Sequence, residues 1–130
     1  MSDSLAVTDQ LAAVAAVAPR VTLEGIKEAI AGRYHMTGLE AVHGGSAIIG
    51  PASNAGPLSV LSICILVMRN GFTVIGKSAP ASVENFNAEL GRKFAYEDAI
   101  RQLWPLMGFC LREQLSWEEQ GNATQAKKPT

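Results

Sequence analysis

The clearest hydrophobic pattern is a long apolar run followed, after a short polar stretch, by a second run of alternating character. Residues from Leu58 to Met68 are nearly all apolar, whereas apolar and polar residues alternate over 72–77. Between them lies Asn70-Gly71, a dipeptide typical of a type I′ turn with positive φ at both positions. The pattern predicts a β-hairpin whose second strand lies nearer a sheet edge. Because the first strand is apolar on both sides, we expect the helices over 83–117 to cover one face, with a second subunit as the candidate cover for the other.

A helical pattern follows the hairpin. Ser82 is a candidate N-cap for a helix over about 83–104. The apolar residues that support this helix are Phe86, Leu90, Phe94, Ile100, Leu103 and Trp104. Pro105 should kink the helix or make it restart. A second apolar stripe predicts further helix over about 105–117.

The N-terminal part of the chain carries two weaker helical signals. Thr8 is a candidate cap for a short helix over 9–17. Thr22 precedes apolar residues at helical spacing, which predict a helix over about 22–32 with its two isoleucines facing inward.

The segment 36–57 is rich in glycine and proline, which predicts a loop. Two strands alone are marginal in water, so the hairpin needs a third strand. That strand is expected either from residues 46–50 or from another subunit.

Together these elements predict an α+β fold. An antiparallel hairpin in a small sheet packs against a long C-terminal helical segment kinked at Pro105, with one or two N-terminal helices added. Residues 1–20 form an Ala-rich segment that is a helix candidate, and residues 21–117 form a single domain. Residues 118–130 are polar without apolar periodicity, which favours a disordered tail.

Composition narrows the classes of protein. The chain has 130 residues, of which 48% are hydrophobic, enough for one globular domain. A net charge of −1 argues against a broad nucleic-acid surface. No apolar run is long enough for a transmembrane helix, and acidic rather than basic residues precede the N-terminal apolar stretch. We therefore expect a cytoplasmic protein without membrane contact.

Few residues suggest catalytic chemistry. Cys64 and Cys110 lie in apolar segments and are interpreted as buried reduced thiols, although the sequence leaves a disulfide between them open. His35 and His43 are isolated and are interpreted as loop histidines. The adjacent carboxylates at 97 and 98 point in different directions from a helix and favour a solvated face. We expect no catalytic residue, no metal site and no cofactor.

A ligand site is easier to argue. Arg92 and Tyr96 lie four residues apart on the predicted helix, with Lys93 beside them. A guanidinium beside an aromatic ring suits an anionic, stackable ligand such as a nucleotide, and the alternative is ordinary surface charge. Asn87 near the helix start is either a cap or a ligand contact. The candidate ligand-binding residues are therefore Asn87, Arg92, Lys93 and Tyr96.

Several segments carry a family resemblance. They are Ser62-Ile-Cys-Ile-Leu-Val-Met-Arg-Asn-Gly-Phe-Thr-Val74, Gly76-Lys-Ser78, Asn85-Phe-Asn-Ala-Glu-Leu-Gly-Arg-Lys93 and Leu103-Trp-Pro-Leu-Met-Gly-Phe109. Over about residues 21–116 the chain resembles the phage gene-product-49/gene-66 family of small tailed-phage and prophage proteins. It departs from the family pattern at Asn87, where Asp is usual, at Pro80, where Cys is usual, and in its longer loop at 38–57.

The resemblance implies a phage or prophage accessory protein that acts in the host cytoplasm. By analogy with small phage proteins of this size, one hypothesis is a homo-oligomer that sequesters a small anionic, nucleotide-type signal in counter-defence. The alternative is a protein-interaction module that binds and inhibits a host enzyme or complex. An enzyme is the least favoured hypothesis.

Overall fold

The computed structural model describes residues 4–15, 18–45 and 49–127. The elements in chain order are α1 Ser4–Ala15, α2 Leu23–Glu28, β1 Ile30–Thr37, α3 Gly38–His43, α4 Ala55–Ser59, β2 Ser62–Met68, β3 Thr73–Ser78 and α5 Ala88–Lys127. Short 3₁₀ turns lie at Ala52–Asn54 and Val83–Asn85. The fold is α+β, as predicted, with an antiparallel sheet in the order β1-β2-β3.

The hairpin is confirmed, but its turn differs from the prediction. Only Gly71 of the Asn70-Gly71 pair has positive φ, at 89°. The Gly71 N–H donates to the Met68 carbonyl, and the Met68 N–H donates to the Phe72 carbonyl. These bonds close a three-residue loop that ends in a left-handed glycine, so the two-residue type I′ turn is wrong. The Asn70 side chain stabilises the loop by accepting from the Phe72 N–H at 2.9 Å.

The third strand comes from neither of the predicted sources. It is β1, which pairs with β2 from Ile30↔Met68 to Thr37↔Ser62. The predicted helix over 22–32 therefore ends at Glu28. Gly32, interpreted as a helix stop, lies within the strand at an irregularity in pairing, and the Tyr34 ring lies close to it. Residues 46–48 of the other predicted strand lie outside the described part of the chain.

The segment 36–57 holds more structure than the predicted loop. Helix α3 begins with a capping box in which Thr37 Oγ1 accepts from the Glu40 N–H and Glu40 accepts from the Thr37 N–H. The sequence Thr-Gly-Leu-Glu is the usual signature of this motif. Helix α4 follows the Ala52–Asn54 turn, and the buried Gly38 lies against side chains of the segment that leads from α4 into β2.

Helix α5 covers one face of the sheet. The buried core between them contains Cys64, Leu66 and Met68 of β2, Val74 of β3, and Ala95, Ala99, Ile100 and Leu103 of α5, and α2 adds Leu23 and Ile26. Helix and strand come closest at Gly76, where a Cβ would overlap the Ala95 carbonyl oxygen and lie 2.5 Å from Ala99 N. The absence of a side chain at Gly76 therefore sets the spacing between sheet and helix.

The bounds of α5 correct three predictions. The helix begins at Ala88 rather than after Ser82, whose side chain makes no capping bond. It is continuous through Pro105, so of the two predicted alternatives the restart does not occur and the kink stays a prediction. It also extends over 118–127, where a disordered tail was predicted. On the exposed surface of this polar part, Gln114 donates to Glu118 at the four-residue spacing that supports a helix, and Arg112 donates to Glu119.

Helix α1 is longer at its N-terminus than predicted, so Thr8 lies inside it rather than capping it. Residues 16 and 17 of the predicted helix lie outside the described residues. The Asp9 carboxylate accepts from the Arg20 guanidinium at 2.7 Å and from the Leu23 N–H at 3.2 Å. These bonds fix α1 to the start of α2 and hold the pKa of Asp9 below its usual range, mainly through the Arg20 hydrogen bond.

The second face of the sheet is left open by the described helices of this chain, and its cover by a second subunit stays a prediction. In the described chain no helix packs across the side formed by the alternate residues of β2. Tyr34 of β1 and Ile75 of β3 lie on that side and are 56% and 59% exposed. The apolar character of this face continues through Ile63, Ile65 and Val67. We call it the open face.

Two further expectations can be compared with the structure. Both cysteines are free, and the prediction of two buried thiols holds for Cys64 but is wrong for Cys110, which is exposed. Among the helices described, none is long and apolar enough to cross a membrane.

Candidate functional site

The N-terminal part of α5 lies beside β1, and this junction contains the chemistry of the predicted site. Arg92 and Tyr96 occupy successive turns of the helix. On β1, Arg33 and His35 are register partners of Leu66 and Cys64, so their side chains lie on the helix-covered side of the sheet. The junction therefore brings two arginines and a histidine together at the sheet edge.

Arg33 organises this cluster. Its guanidinium carbon lies 3.6 Å from the centre of the Tyr96 ring, a cation–π contact. Its Nε–H donates to His35 Nε2 at 2.8 Å. Tyr96 is half-buried and packs against the core, and burial raises the pKa of its hydroxyl. The predicted pairing of an aromatic ring with a guanidinium is present, but the guanidinium comes from Arg33 rather than Arg92.

The hydrogen bond from Arg33 defines the state of His35. Because a guanidinium only donates, Nε2 must accept, and the ring carries its proton on Nδ1. That Nδ1 is buried and has no hydrogen-bond partner in the described part of the chain. Burial lowers the pKa of His35, and the charges of Arg33 and Arg92 lower it further. A neutral imidazole thus holds a buried donor without an acceptor.

A small cavity opens at the same place. It has a volume of about 200 Å³, and the lining residues are His35, Met36, Thr37, Glu40, Ser62, Phe86, Ala88 and Arg92. Ser62 is buried, and its hydroxyl lies against Gly91, where a Cβ would displace it. We call this cavity, together with Arg33 behind His35, the basic pocket.

One carboxylate also reaches the pocket. Glu40 accepts from the Thr37 N–H at 2.9 Å in the capping box of α3. The backbone bond to Thr37 and the Thr37 side chain hold the pKa of Glu40 below its usual range, so the group is charged at neutral pH. Neither Arg33 nor Arg92 forms an ion pair with a carboxylate among the described residues. The pocket keeps a net positive charge.

Of the four predicted residues, Arg92 lines the cavity, Tyr96 contacts Arg33 behind it, and Asn87 and Lys93 do neither. Asn87 Oδ1 accepts from the Leu90 N–H at 3.1 Å, so this side chain caps α5. Of the alternatives that the sequence left open, the geometry gives Asn87 the capping role. Lys93 is half-buried on the next position after Arg92. Their part in ligand binding stays a prediction.

The remaining candidates have structural surroundings. Glu97 is buried rather than solvated, and Asp98 accepts from the Lys77 N–H at 2.9 Å. His35 lies in a strand and His43 at the end of α3, so neither is a loop histidine. Within the part of the chain that is described, no cluster of His, Cys, Asp and Glu has the geometry of a metal site.

Sequence reasoning missed Arg33 and His35. The signal that could have found them is the alternation over 30–37, where Arg33, His35 and Thr37 fall on one side and Tyr34 and Met36 on the other. This period-2 pattern was obscured by Gly32 and by the preceding helical spacing.

Comparisons with known proteins give one result. No curated protein and no solved structure shows significant similarity to the chain. A family model does match, and its description is Phage protein (N4 Gp49/phage Sf6 gene 66) family. The match covers residues 21–115, which is most of the chain and includes the sheet, the basic pocket and the first part of α5. The chain therefore belongs to this family of phage proteins.

Proposed function

We propose that this phage protein is a non-catalytic, homo-oligomeric binding module that holds a small anionic ligand in the basic pocket. Sequestration of a nucleotide-type host signal, as counter-defence, is the biological role that this activity would serve. The observation that carries the proposal is a cavity lined by Arg92 and by His35, whose buried imidazole donor has no acceptor in the described part of the chain and whose Nε2 accepts from Arg33 behind it. Guanidinium groups of this kind favour phosphate oxygens.

The size of the pocket limits what enters it. Pockets that enclose a drug-sized ligand measure roughly 300–1,000 Å³, whereas this one measures about 200 Å³. A phosphoryl group fits, and the rest of a nucleotide would lie outside. The Tyr96 face is already occupied by Arg33, so the base would not stack there while that contact persists.

The experiment is isothermal titration of the protein with inorganic phosphate and with a panel of signalling nucleotides. The proposal expects heat with at least one phosphate-bearing ligand and weaker binding in Arg92→Ala. A matched control is Arg101→Ala, which removes the same charge from another face of α5. Absence of heat with every ligand would refute the proposal.

The open face favours a second candidate function, inhibition of a host protein through direct contact. Contiguous exposed apolar surface commonly marks an interaction site, and the exposed Tyr34 and Ile75 supply it here, with the half-buried Ile65 between them. Affinity capture from host lysate should retain a partner with the wild-type chain and lose it with Ile75→Lys. A chain that retains no partner, or retains the same partners after this substitution, counts against this candidate.

A further inference from the structure

The two edges of the sheet differ in whether their outward backbone groups have hydrogen-bond partners. At the β3 edge, the Gln102 side-chain amide donates to the Ile75 carbonyl at 2.8 Å, and the Lys77 N–H donates to Asp98 at 2.9 Å. Helix α5 thus occupies backbone groups that would otherwise pair with another strand. Sheet edges left without such protection are templates for strand addition.

The β1 edge has no equivalent cover. Register and the Gly38–Leu61 bond show that residues 32, 34 and 36 direct their backbone groups toward β2. The groups of Arg33 and His35 therefore point away from the sheet. In the described residues none of these outward groups has a backbone or side-chain partner. Only the Thr37 N–H, at the end of the strand, is occupied, by Glu40.

The sequence of β1 is suited to pairing with itself. An antiparallel pair centred on Tyr34 places Arg33 opposite His35 of the partner subunit, and both are positions with outward backbone groups. This register avoids placing the two Arg33 side chains directly opposite, where like charges destabilise a sheet. It also places the two exposed tyrosines side by side on the open face, since residues directly opposite share a face.

We propose that two copies of this chain pair antiparallel along their β1 edges around Tyr34, forming a six-stranded sheet with the two basic pockets beside the two-fold axis. Closed two-fold pairing uses the same edge on both copies and leaves no free β1 edge. The dimer rests on the edges alone. Its consequence, that a ligand with two phosphoryl groups would meet both pockets, rests on the proposed function.

The test is disulfide trapping. Tyr34→Cys is made in a Cys110→Ser background, which removes the exposed native thiol. In a non-hydrogen-bonded antiparallel pair the two α-carbons lie about 4.5 Å apart, within the range of a disulfide. Mild oxidation should convert most of the protein into a covalent dimer on non-reducing gels. The matched control is Ile75→Cys in the same background. This position is equally exposed but lies on the protected β3 edge, so the variant should form no covalent dimer and should run as a monomer on the same gels.

A second variant addresses the pairing without engineered thiols. Tyr34→Glu places two like charges directly opposite each other in the proposed pair, where they destabilise it, and leaves the backbone bonds to β2 in place. Sedimentation should show a dimer for the wild-type chain and a monomer with a native circular dichroism spectrum for this variant. A monomeric wild-type chain, or equal trapping at positions 34 and 75, would overturn the proposal. Because phosphate titration is measured separately, failure of the dimer is distinguishable from failure of anion binding.

Discussion

Gly76→Ala should be among the most damaging single-methyl additions in this protein. The residue lies on β3 beneath α5, and an added Cβ would overlap the Ala95 carbonyl oxygen and approach Ala99 N to 2.5 Å. Both atoms belong to the backbone of a helix, so no rotamer change can make room. The helix must move away from the sheet, which loosens the contacts of Leu66 and Ile100, both fully buried.

The magnitude follows from that geometry. Overpacking a core costs about 1–3 kcal/mol when side chains can adjust. Since the obstacle here is backbone and the movement opens gaps elsewhere, we expect a loss of about 3 kcal/mol or more in the free energy of unfolding. With a urea slope of about 1–3 kcal/mol per molar, the unfolding midpoint should fall by roughly 1–3 M.

Urea denaturation followed by circular dichroism measures this change. The control is Gly108→Ala, also in α5, where an added Cβ meets no atom within 4 Å. That substitution should stabilise the protein by up to about 1 kcal/mol, because alanine favours helix over glycine. If the two variants unfold at the same urea concentration, the close approach of α5 to β3 at Gly76 is not the packing that the fold depends on.

Three further predictions address the pocket and α1. Glu40→Gln keeps the oxygen that accepts from the Thr37 N–H but removes a negative charge from the pocket that Arg92 lines. Phosphate affinity measured by calorimetry should rise several-fold, with the helix content unchanged. A lower affinity would contradict the charge argument. Burial and the charges of two arginines lower the pKa of His35, so the unfolded chain binds this proton more readily than the folded one. The free energy of unfolding should therefore fall as the pH drops below the ordinary histidine value of about 6.5. In His35→Gln the urea midpoint should depend less on pH in this range, and an unchanged dependence would show that another group is responsible. Asp9→Asn removes the charge that Arg20 and the Leu23 N–H stabilise, at a cost of about 0.5–1 kcal/mol, a contribution present at neutral pH and lost as acid protonates the carboxylate. In Asp9→Asn, backbone amide hydrogen exchange should become faster in α1 and stay unchanged in the part of α5 that covers the sheet. An equal change in both helices would argue that the Asp9–Arg20 pair does not hold α1.

The parts of the fold that depend on short-range pattern were predictable. The hairpin followed from two apolar runs around Asn70-Gly71, and the helix-covered side of β2 followed from the stripe on α5. The turn type was not predictable from the dipeptide alone, because a third residue enters the loop and Asn70 uses its side chain instead of positive φ.

The parts that depend on tertiary pairing were missed. Strand β1 follows α2 after a single residue, so helical spacing and strand alternation overlap at Ile30. From the sequence, Gly32 is interpreted as a helix stop. In the structure it lies within β1, with the Tyr34 ring close to it. At the other end, Asn87 rather than Ser82 caps α5, because residues 83–85 form a separate 3₁₀ turn first.

The candidate site shows the same division. Arg92 and Tyr96 were predicted as neighbours from their spacing on one helix. Their real partners, Arg33 and His35, come from a strand that is distant in sequence, and the packing of α5 across β2 and β3 brings its side chains into reach of β1. The spacing therefore identified the helix face, and the structure identified the pocket.

The central claim is that the basic pocket binds phosphate-bearing anions, and calorimetry of matched arginine variants tests it most directly. Removing the charge-assisted contacts of Arg92 should cost about 1.5–3 kcal/mol of binding free energy. This corresponds to a dissociation constant that is roughly 10- to 100-fold higher. Arg101→Ala should bind as the wild-type chain does, since it changes the net charge equally but lies outside the pocket. Equal affinity in the wild-type chain and both variants would contradict the account.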